Sequence, residues 1–346
     1  MTSFDPATAA TAAPAAPAAA SAAAPAGSPA GAGARVSPWW LALLAAALAV
    51  PFVAQGYVVF QATMVLSYAV ALLGLNILTG YNGQISLGHG AFYAIGAYTC
   101  AILMDRFGVP YWATLPAAAL ACLVAGYLFG LPALKLEGLY LALATFALSV
   151  AMPQLLKYKY LEPWTGGVQG IVLNKPDAPF GLPLTQDQWL YLFALAVVLL
   201  MFVLARNLLD SGAGRAIVAI REHPLAAEGM GIDNRHYKAS AFALSAMFTG
   251  VGGALSAIAV QFVAPDSFPM FLSISLLVGV VVGGVGTLAG AWYGALFIMF
   301  VPSAAEKVSK AAPWAIYGAV LILFVFVLPG GVAGLVRQAR ARFGAR

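Results

Sequence analysis

Residues 79–99 read Thr79-Gly-Tyr-Asn-Gly-Gln-Ile-Ser-Leu-Gly-His-Gly-Ala-Phe-Tyr-Ala-Ile-Gly-Ala-Tyr-Thr99, and they stand between long apolar runs. Asn82, Gln84, Ser86 and His89 follow one another closely in this stretch, which also contains five glycines. In hydrocarbon, a polar group without a hydrogen-bond partner costs several kcal/mol. The stretch therefore predicts a broken or closely packed helix that lines something wet.

The composition of the whole chain places this stretch in a membrane. Of the 346 residues, 62% are hydrophobic and only 8% are charged, and the mean hydropathy is +0.90. Soluble domains carry roughly a quarter charged residues. We therefore predict an all-α, polytopic bundle of helices in a membrane. The net charge of +5 fits membrane orientation and a lipid environment, and not nucleic-acid binding.

Ten apolar stretches predict about ten transmembrane helices. The last two stretches before the C-terminal one are short and joined by Gly-rich sequence, so one of them could be re-entrant and the count could be eight or nine. The predicted spans are 38–55, 58–79, 85–104, 111–130, 138–156, 189–206, 239–260, 270–287, 289–303 and 314–330.

The regions outside the spans divide the chain further. Residues 1–37 are rich in Ala and Pro and predict a disordered cytoplasmic tail, whereas 38–335 form the transmembrane domain. Two long loops lie inside that domain: a periplasmic loop at 157–188 and a cytoplasmic loop at 207–238. Residues 336–346 form a basic cytoplasmic C-terminal tail.

Positive charge predicts the orientation. If the N-terminus lies inside, eleven of the 17 Lys and Arg residues fall in inner segments and six in outer ones. Both termini are then cytoplasmic. This topology places Tyr81 to Gln84 at the inner end of a span, near the cytoplasmic mouth.

The cytoplasmic loop has the pattern of a short helix lying along the inner face. Pro224 can lie in the first turn of this helix, and Gly229 or Gly231 can end it. Asp233 or Asn234 can cap the span that follows. An ordinary loop that only sets topology is the alternative.

Glycines recur near the C-terminal end of the bundle. Within two groups they repeat every four residues, which stacks them on one helix face and lets backbones approach closely. Packing within the chain is the favoured interpretation, and a dimer seam is the alternative. The glycines are Gly279, Gly283, Gly286, Gly290 and Gly294.

Some chemistries find no support in the sequence. There is no Gly-x-x-x-x-Gly-Lys-Ser/Thr loop for ATP, no spacing typical of a metal site, no nucleophile–base pair and no sign of a bound cofactor. No span carries a carboxylate near its middle, which argues against a proton- or sodium-driven carrier. Cys100 and Cys122 fall in apolar runs and are expected to pack there rather than to pair.

Several segments resemble the branched-chain amino acid permeases of ABC importers, the LivH/LivM family, and most of them match the LivM side in order. The resemblance covers roughly residues 40–335. The matching segments are 79–99, Leu136–Thr145, Thr165-Gly-Gly167, Ala226-Ala-Glu-Gly229, Gly283–Gly290 and Pro329-Gly-Gly331. The Ala/Pro tail and the weakly basic Lys135-Leu-Glu137 depart from the family's pattern.

The resemblance implies a non-enzymatic subunit of an importer in a bacterial inner membrane, carrying leucine, isoleucine, valine or related amino acids. It also implies four kinds of partner: a second, LivH-like permease, two ATPase subunits of the LivG/LivF type that use the ATP, a periplasmic substrate-binding protein, and membrane lipid. A urea or short-amide permease of the same family is the first alternative. An ATP-independent channel or secondary carrier is the second.

Two sets of residues carry the expected function. The substrate pathway is predicted at Tyr81, Asn82, Gly83, Gln84, Ser86, Gly88 and His89. Contact with an ATPase is predicted at Arg221, Glu222, Pro224, Ala226, Ala227, Glu228 and Gly231. For His89, a proton relay and a hydrogen-bonded packing role are both open, and the packing role is favoured.

Overall fold

The computed structural model describes residues 38–54, 56–133, 136, 138–179, 183–308, 313–328 and 330–344. The chain divides after Ala45 into two units. The predicted tail at 1–37, together with Lys135, Glu137 and Pro329 of the family-like segments, lies outside the described residues.

Nearly all of the described chain is helical. A π-helical turn, Ile77–Tyr81, follows the second helix, and a 3-10 turn, Pro265–Ser267, precedes the eleventh. Strands β1 (Ile171–Val172) and β2 (Phe262–Val263) pair antiparallel at one end of the bundle. The helices are α1 Pro38–Val53, α2 Gly56–Asn76, α3 His89–Phe107, α4 Tyr111–Ala133, α5 Leu139–Leu156, α6 Glu162–Thr165, α7 Gln186–Asp210, α8 Gly212–Glu222, α9 Pro224–Gly229, α10 Asn234–Val260, α11 Met270–Gly283, α12 Leu288–Val308, α13 Pro313–Val327 and α14 Gly331–Gly344.

Seven stretches among the described residues are long and apolar enough to cross a membrane. They are Gly56–Tyr81, Tyr111–Pro132, Leu139–Leu156, Gln186–Asp210, Asn234–Val260, Pro265–Gly283 and Leu288–Lys307. The other three predicted spans coincide with α1, α3 and α13. Helix α3 is long enough to cross a membrane but is less apolar than the seven stretches above. It carries small and polar residues along the part of its length that other helices enclose. The chain is a polytopic, helical membrane protein.

Helix α10 lies at the centre of the bundle and packs against α2, α3 and α4. Glycines allow the backbones of α10 and α3 to touch. A methyl group added to Gly253 would overlap the carbonyl oxygen of Tyr93, and one added to Gly96 would overlap that of Gly250. In a membrane, where lipid is as apolar as leucine, such close packing is a main source of helix association.

Hydroxyl groups join α10 to α2. Ser67 donates a hydrogen bond to the carbonyl of Gly252 at 2.7 Å, and Ser245 donates to that of Gly74 at 2.6 Å. The Thr249 hydroxyl is shared between the Ser245 carbonyl of its own helix at 3.0 Å and the Ala71 carbonyl of α2 at 3.3 Å. All three side chains are buried. These bonds fix the register of the two helices along their length.

The glycines predicted to pack helices lie on α11 and α12, with one exception. Added methyl groups on Gly283 and Gly294 would overlap backbone atoms of the facing helix, so these two helices are in backbone contact. Gly286, predicted to stack on the same helix face, lies instead in the turn between the two helices with a φ of 73°. The four-residue repeat does not continue through this turn, because Gly284 and Gly286 have positive φ angles that end the helix and that residues with a side chain disfavour.

Two boundaries differ from the predicted ones. The span expected at 85–104 begins only at His89, since residues 82–88 run without regular structure. At the C-terminus, the basic segment predicted as a tail continues as α14 to Gly344. Ala333 of α14 is buried, which gives this helix an apolar contact with the bundle.

Candidate functional site

The polar stretch of the sequence begins as an irregular end of α2. The π-helical turn closes with two backbone hydrogen bonds. The backbone N–H of Asn82 donates to the carbonyl of Ile77 at 3.1 Å, and the backbone N–H of Gln84 donates to the carbonyl of Leu78 at 3.1 Å. Gly83 has a φ of 76°, which turns the chain away from the helix. Single π-turns of this kind occur frequently at functional sites.

Ser86 and His89 form a buried hydrogen-bond chain with Ser245 of α10. The Ser86 hydroxyl oxygen lies 3.0 Å from His89 Nδ1, and His89 Nε2 lies 2.6 Å from the Ser245 oxygen. The single proton of Ser245 goes to the carbonyl of Gly74, so His89 Nε2 donates and Nδ1 accepts. A neutral imidazole therefore has both nitrogens satisfied, and His89 has no free group to offer a substrate in this arrangement.

Further hydroxyls hold the start of α3. The Leu87 amide donates to Thr145 of α5 at 3.0 Å, and the Gly90 amide donates to Ser273 of α11 at 2.9 Å. The sequence prediction missed Ser245, Thr145 and Ser273. Their signal was a lone hydroxyl residue in an apolar span, but many such residues only bond the preceding turn of their own helix.

Asn76 joins the end of α2 to the turn between α11 and α12. Its amide nitrogen donates to the carbonyl of Thr287 at 2.7 Å, and its amide oxygen accepts from the Gly286 N–H at 2.8 Å. The side chain is buried, so both bonds form in a dry environment. Gly80 lies against the Asn76 side chain, which a methyl group added to Gly80 would overlap.

Asn82 differs from every polar neighbour just described. It is 3% exposed, and neither the nitrogen nor the oxygen of its side-chain amide has a hydrogen-bond partner within the described part of the chain. Gly83 and Ile85 are exposed, and Gln84 is partly exposed. Of the predicted pathway residues, the structure thus brings together Ser86 and His89, leaves Asn82 unpaired, and puts Gly83 and Gln84 at a surface.

The loop 207–238 contains two helices at the same end of the bundle. Ser211 caps α8, its hydroxyl accepting from the Gly214 amide at 3.4 Å, and Asp233 caps α10 by accepting from the His236 amide at 3.1 Å. Helix α8 buries its apolar face, including Ile217 and Ile220. The short α9 starts at Pro224, as the loop pattern predicts.

Helix α9 buries one residue and projects the rest. Ala227 is buried, whereas Leu225 is 86% exposed and Met230, just after the helix, is 84% exposed. The predicted residues Glu222, Pro224, Ala226, Glu228 and Gly231 are also exposed. Sequence reasoning missed Leu225 and Met230, because an apolar residue in a loop gives no sign of whether it faces the bundle or points away.

Arg221 connects this loop to the polar stretch. Its guanidinium Nη1 donates a hydrogen bond to the carbonyl of Gly80 in the π-turn. Leu78 of the π-turn and Ile217 of α8 belong to one buried apolar cluster, together with Phe92 and Phe242. The two regions predicted separately as pathway and ATPase contact are therefore in direct contact.

The cysteines and metal-binding side chains add no second site. Cys100 and Cys122 are both buried and unpaired with each other. Within the described ranges, no three His, Cys, Asp or Glu side chains are placed to hold a metal ion.

A family model matches most of the chain. Residues 57–328 match the family described as the permease component of branched-chain amino acid transport systems. No solved structure matches the chain. The matched region contains the π-turn, the buried hydroxyl network and both loop helices.

Three of the similar proteins are named as permeases of branched-chain amino acid transport. The high-affinity branched-chain amino acid transport system permease protein LivM of Escherichia coli K12 is 32% identical over 329 residues, which is 88% of this chain and 77% of the relative. LivM of Salmonella typhimurium is 36% identical over 270 residues, covering 71% of this chain and 63% of the relative. A probable LivH of Methanocaldococcus jannaschii is 24% identical, covering 80% and 92%. The chain belongs to the family of branched-chain amino acid transport permease components.

Proposed function

We propose that this chain is the LivM-type membrane subunit of an ABC importer and carries leucine, isoleucine or valine across a bacterial inner membrane. Support for the substrate class comes from the two LivM relatives, which are named for high-affinity branched-chain amino acid transport. The observation that carries the mechanism is α9, a short, projecting helix with two exposed apolar side chains.

Helix α9 with its flanking residues is the contact with an ATPase subunit. Leu225 and Met230 stand out from the bundle end beside charged residues, and apolar side chains rimmed by polar ones are typical of a protein-interaction site. Glu222 and Glu228 surround them with charge and can set the orientation of docking. This end of the bundle is the cytoplasmic one, and both termini are cytoplasmic, as the distribution of positive charge predicts.

The complete importer contains further chains. A LivH-like permease completes the pathway, two LivG/LivF-type ATPases supply the energy, and a periplasmic binding protein delivers the substrate to the opposite end, where β1 and β2 lie. ATP is used by the ATPases, because this sequence has no phosphate-binding loop of the Walker type. High affinity resides in the binding protein.

The polar stretch forms the inner part of the pathway. Gly83 and Gln84 are at a surface and can line it, whereas Ser86, Gly88 and His89 are buried and hold the backbone in place. Amide and backbone groups exchange hydrogen bonds with a zwitterion without holding it tightly, which suits a conduit. Closure of the ATPases would displace α9 and α8 and open the pathway to each face in turn.

Charged substitutions at α9 test this function. In the variant Leu225→Asp/Met230→Asp we expect the ATPase subunits to be lost during purification of the complex, with loss of uptake. Each side chain buried at an interface contributes about 2 kcal/mol, so removing both lowers the association constant by roughly a thousandfold. Pull-down of the ATPases with tagged membrane subunit measures this.

Val172→Asp is the matched control, since Val172 is similarly exposed at 73% but lies on β1. It should retain the ATPases fully. Recovery of the ATPases at the unmodified level from the double variant would contradict docking at α9.

A further inference from the structure

Arg221 acts on the end of a membrane helix from outside that helix. The last carbonyl groups of a helix lack partners within it, and a cation near a helix C-terminus is favoured. The Arg221 guanidinium supplies both a donor and a positive charge, because its Nη1 bonds the Gly80 carbonyl at the end of α2. A residue of the loop thus caps the π-turn that leads directly into the predicted pathway residues.

The contact between α8 and the π-turn has an apolar part as well. The stem of Arg221 lies against Gly83, where an added methyl group would come within 3.0 Å of its Cγ. Ile217, one turn earlier on α8, is buried beside Leu78 of the π-turn. Because a hydrogen bond and a packed core residue both join them, α8 and the π-turn are expected to move together.

The other side of the π-turn is fixed by the bundle. Gly80 packs against the Asn76 side chain and the backbone of Gly286, and Asn76 itself bonds the turn between α11 and α12. The π-turn therefore lies between a loop helix and a fixed helix pair. Displacement of α8, which also packs against α7 and α10, would act directly on this turn.

Asn82 is the residue that such a displacement would change most. It directly follows the π-turn, is buried, and has no partner for either amide atom within the described ranges. Buried polar groups are normally hydrogen-bonded, so an unpaired amide marks an arrangement that another one can relieve. Moving the turn toward the pathway would expose Asn82 to water and substrate.

We propose that Arg221 is a positioning residue that transmits movement of α8 and α9 to the π-turn and thereby brings Asn82 into the pathway. This inference rests on the proposed function. It separates two tasks within the loop: Leu225 and Met230 bind the ATPase, and Arg221 passes the motion inward.

Substitution of Arg221 in the complete complex tests this. In Arg221→Met, which keeps most of the stem, we expect leucine uptake per ATP hydrolysed to fall about tenfold, the scale of a typical coupling between sites. ATPase recovery should be unchanged. Arg221→Lys, which keeps one donor to a carbonyl, should restore part of the uptake.

Arg215→Met is the control, because Arg215 lies on the same helix but donates to the Asp210 carbonyl within the loop at 3.1 Å. It should leave the ratio of uptake to hydrolysis unchanged. An unchanged ratio in Arg221→Met would overturn the proposal. So would loss of ATPase recovery in that variant, since Arg221 would then be a docking residue.

The accessibility of position 82 gives a second readout. In a chain carrying Cys100→Ala and Cys122→Ala, we expect Asn82→Cys to react with a membrane-impermeant maleimide several-fold faster after ATP and vanadate are added. The added Arg221→Met change should abolish the increase. A labelling rate that does not respond to ATP overturns the proposal.

The proposed function can fail separately. It fails if the unmodified chain neither retains ATPases nor supports ATP-dependent uptake. The inference about Arg221 fails when the unmodified complex works and either readout remains unaltered by Arg221→Met.

Discussion

The Gly253→Val chain is expected not to accumulate as folded protein in the membrane. A side chain on Gly253 would overlap the Tyr93 carbonyl, and moving α3 away would break the backbone contact between Gly96 and Gly250 on the same interface. Overpacking of a tight core costs about 1–3 kcal/mol or more, and two additional methyl groups in backbone contact lie at the upper end. The amount of monodisperse protein recovered in detergent measures the effect.

Gly318→Val on α13 is the matched control. An added methyl group there meets no described atom within 4 Å, so this chain should be recovered like the unmodified protein. Equal recovery of Gly253→Val would mean that α3 and α10 do not pack as closely as the structure places them.

The Asn76→Leu variant is expected to show the second largest loss of stability. Leucine is similar in size, but it leaves the Gly286 N–H and the Thr287 carbonyl buried without their present partner. Each such group costs about 1–3 kcal/mol. At roughly 2–4 °C for each kcal/mol in a chain of this size, the unfolding midpoint in detergent should fall by several degrees or more.

Asn207→Leu serves as the control because it makes the same chemical change at an exposed position of α7. Its midpoint should stay within the error of the unmodified chain. If Asn76→Leu unfolds at the same temperature as Asn207→Leu, the two hydrogen bonds between Asn76 and the turn before α12 contribute nothing to stability.

Much of the fold could be predicted because a hydrocarbon environment leaves few choices. Every apolar stretch predicted as a span contains a helix, and the short α9 begins at the predicted Pro224. The π-turn could not be predicted, since its carbonyl at Gly80 is satisfied by Arg221, about 140 residues later. Gly286 was misplaced because a four-residue repeat does not reveal where a helix stops.

The candidate site was predicted in its composition but not in its connections. The polar stretch and the loop were both identified, yet nothing in either segment shows that Arg221 reaches Gly80. Both ring nitrogens of His89 have hydroxyl partners, which is consistent with the favoured packing role. Long-range hydrogen bonds through single hydroxyls, such as that of Ser245, depend on helix register, which a single sequence does not give.

Transport by defined components tests the central claim most directly. The chain, its LivH-like partner and the two ATPases would be reconstituted in proteoliposomes with ATP inside and the liganded binding protein outside. Uptake of radiolabelled leucine is then followed over time. We predict uptake that requires both ATP and the binding protein and that disappears when this chain is left out. Leucine uptake by the purified chain alone without ATP, or a complex that carries urea and not leucine, would contradict this account.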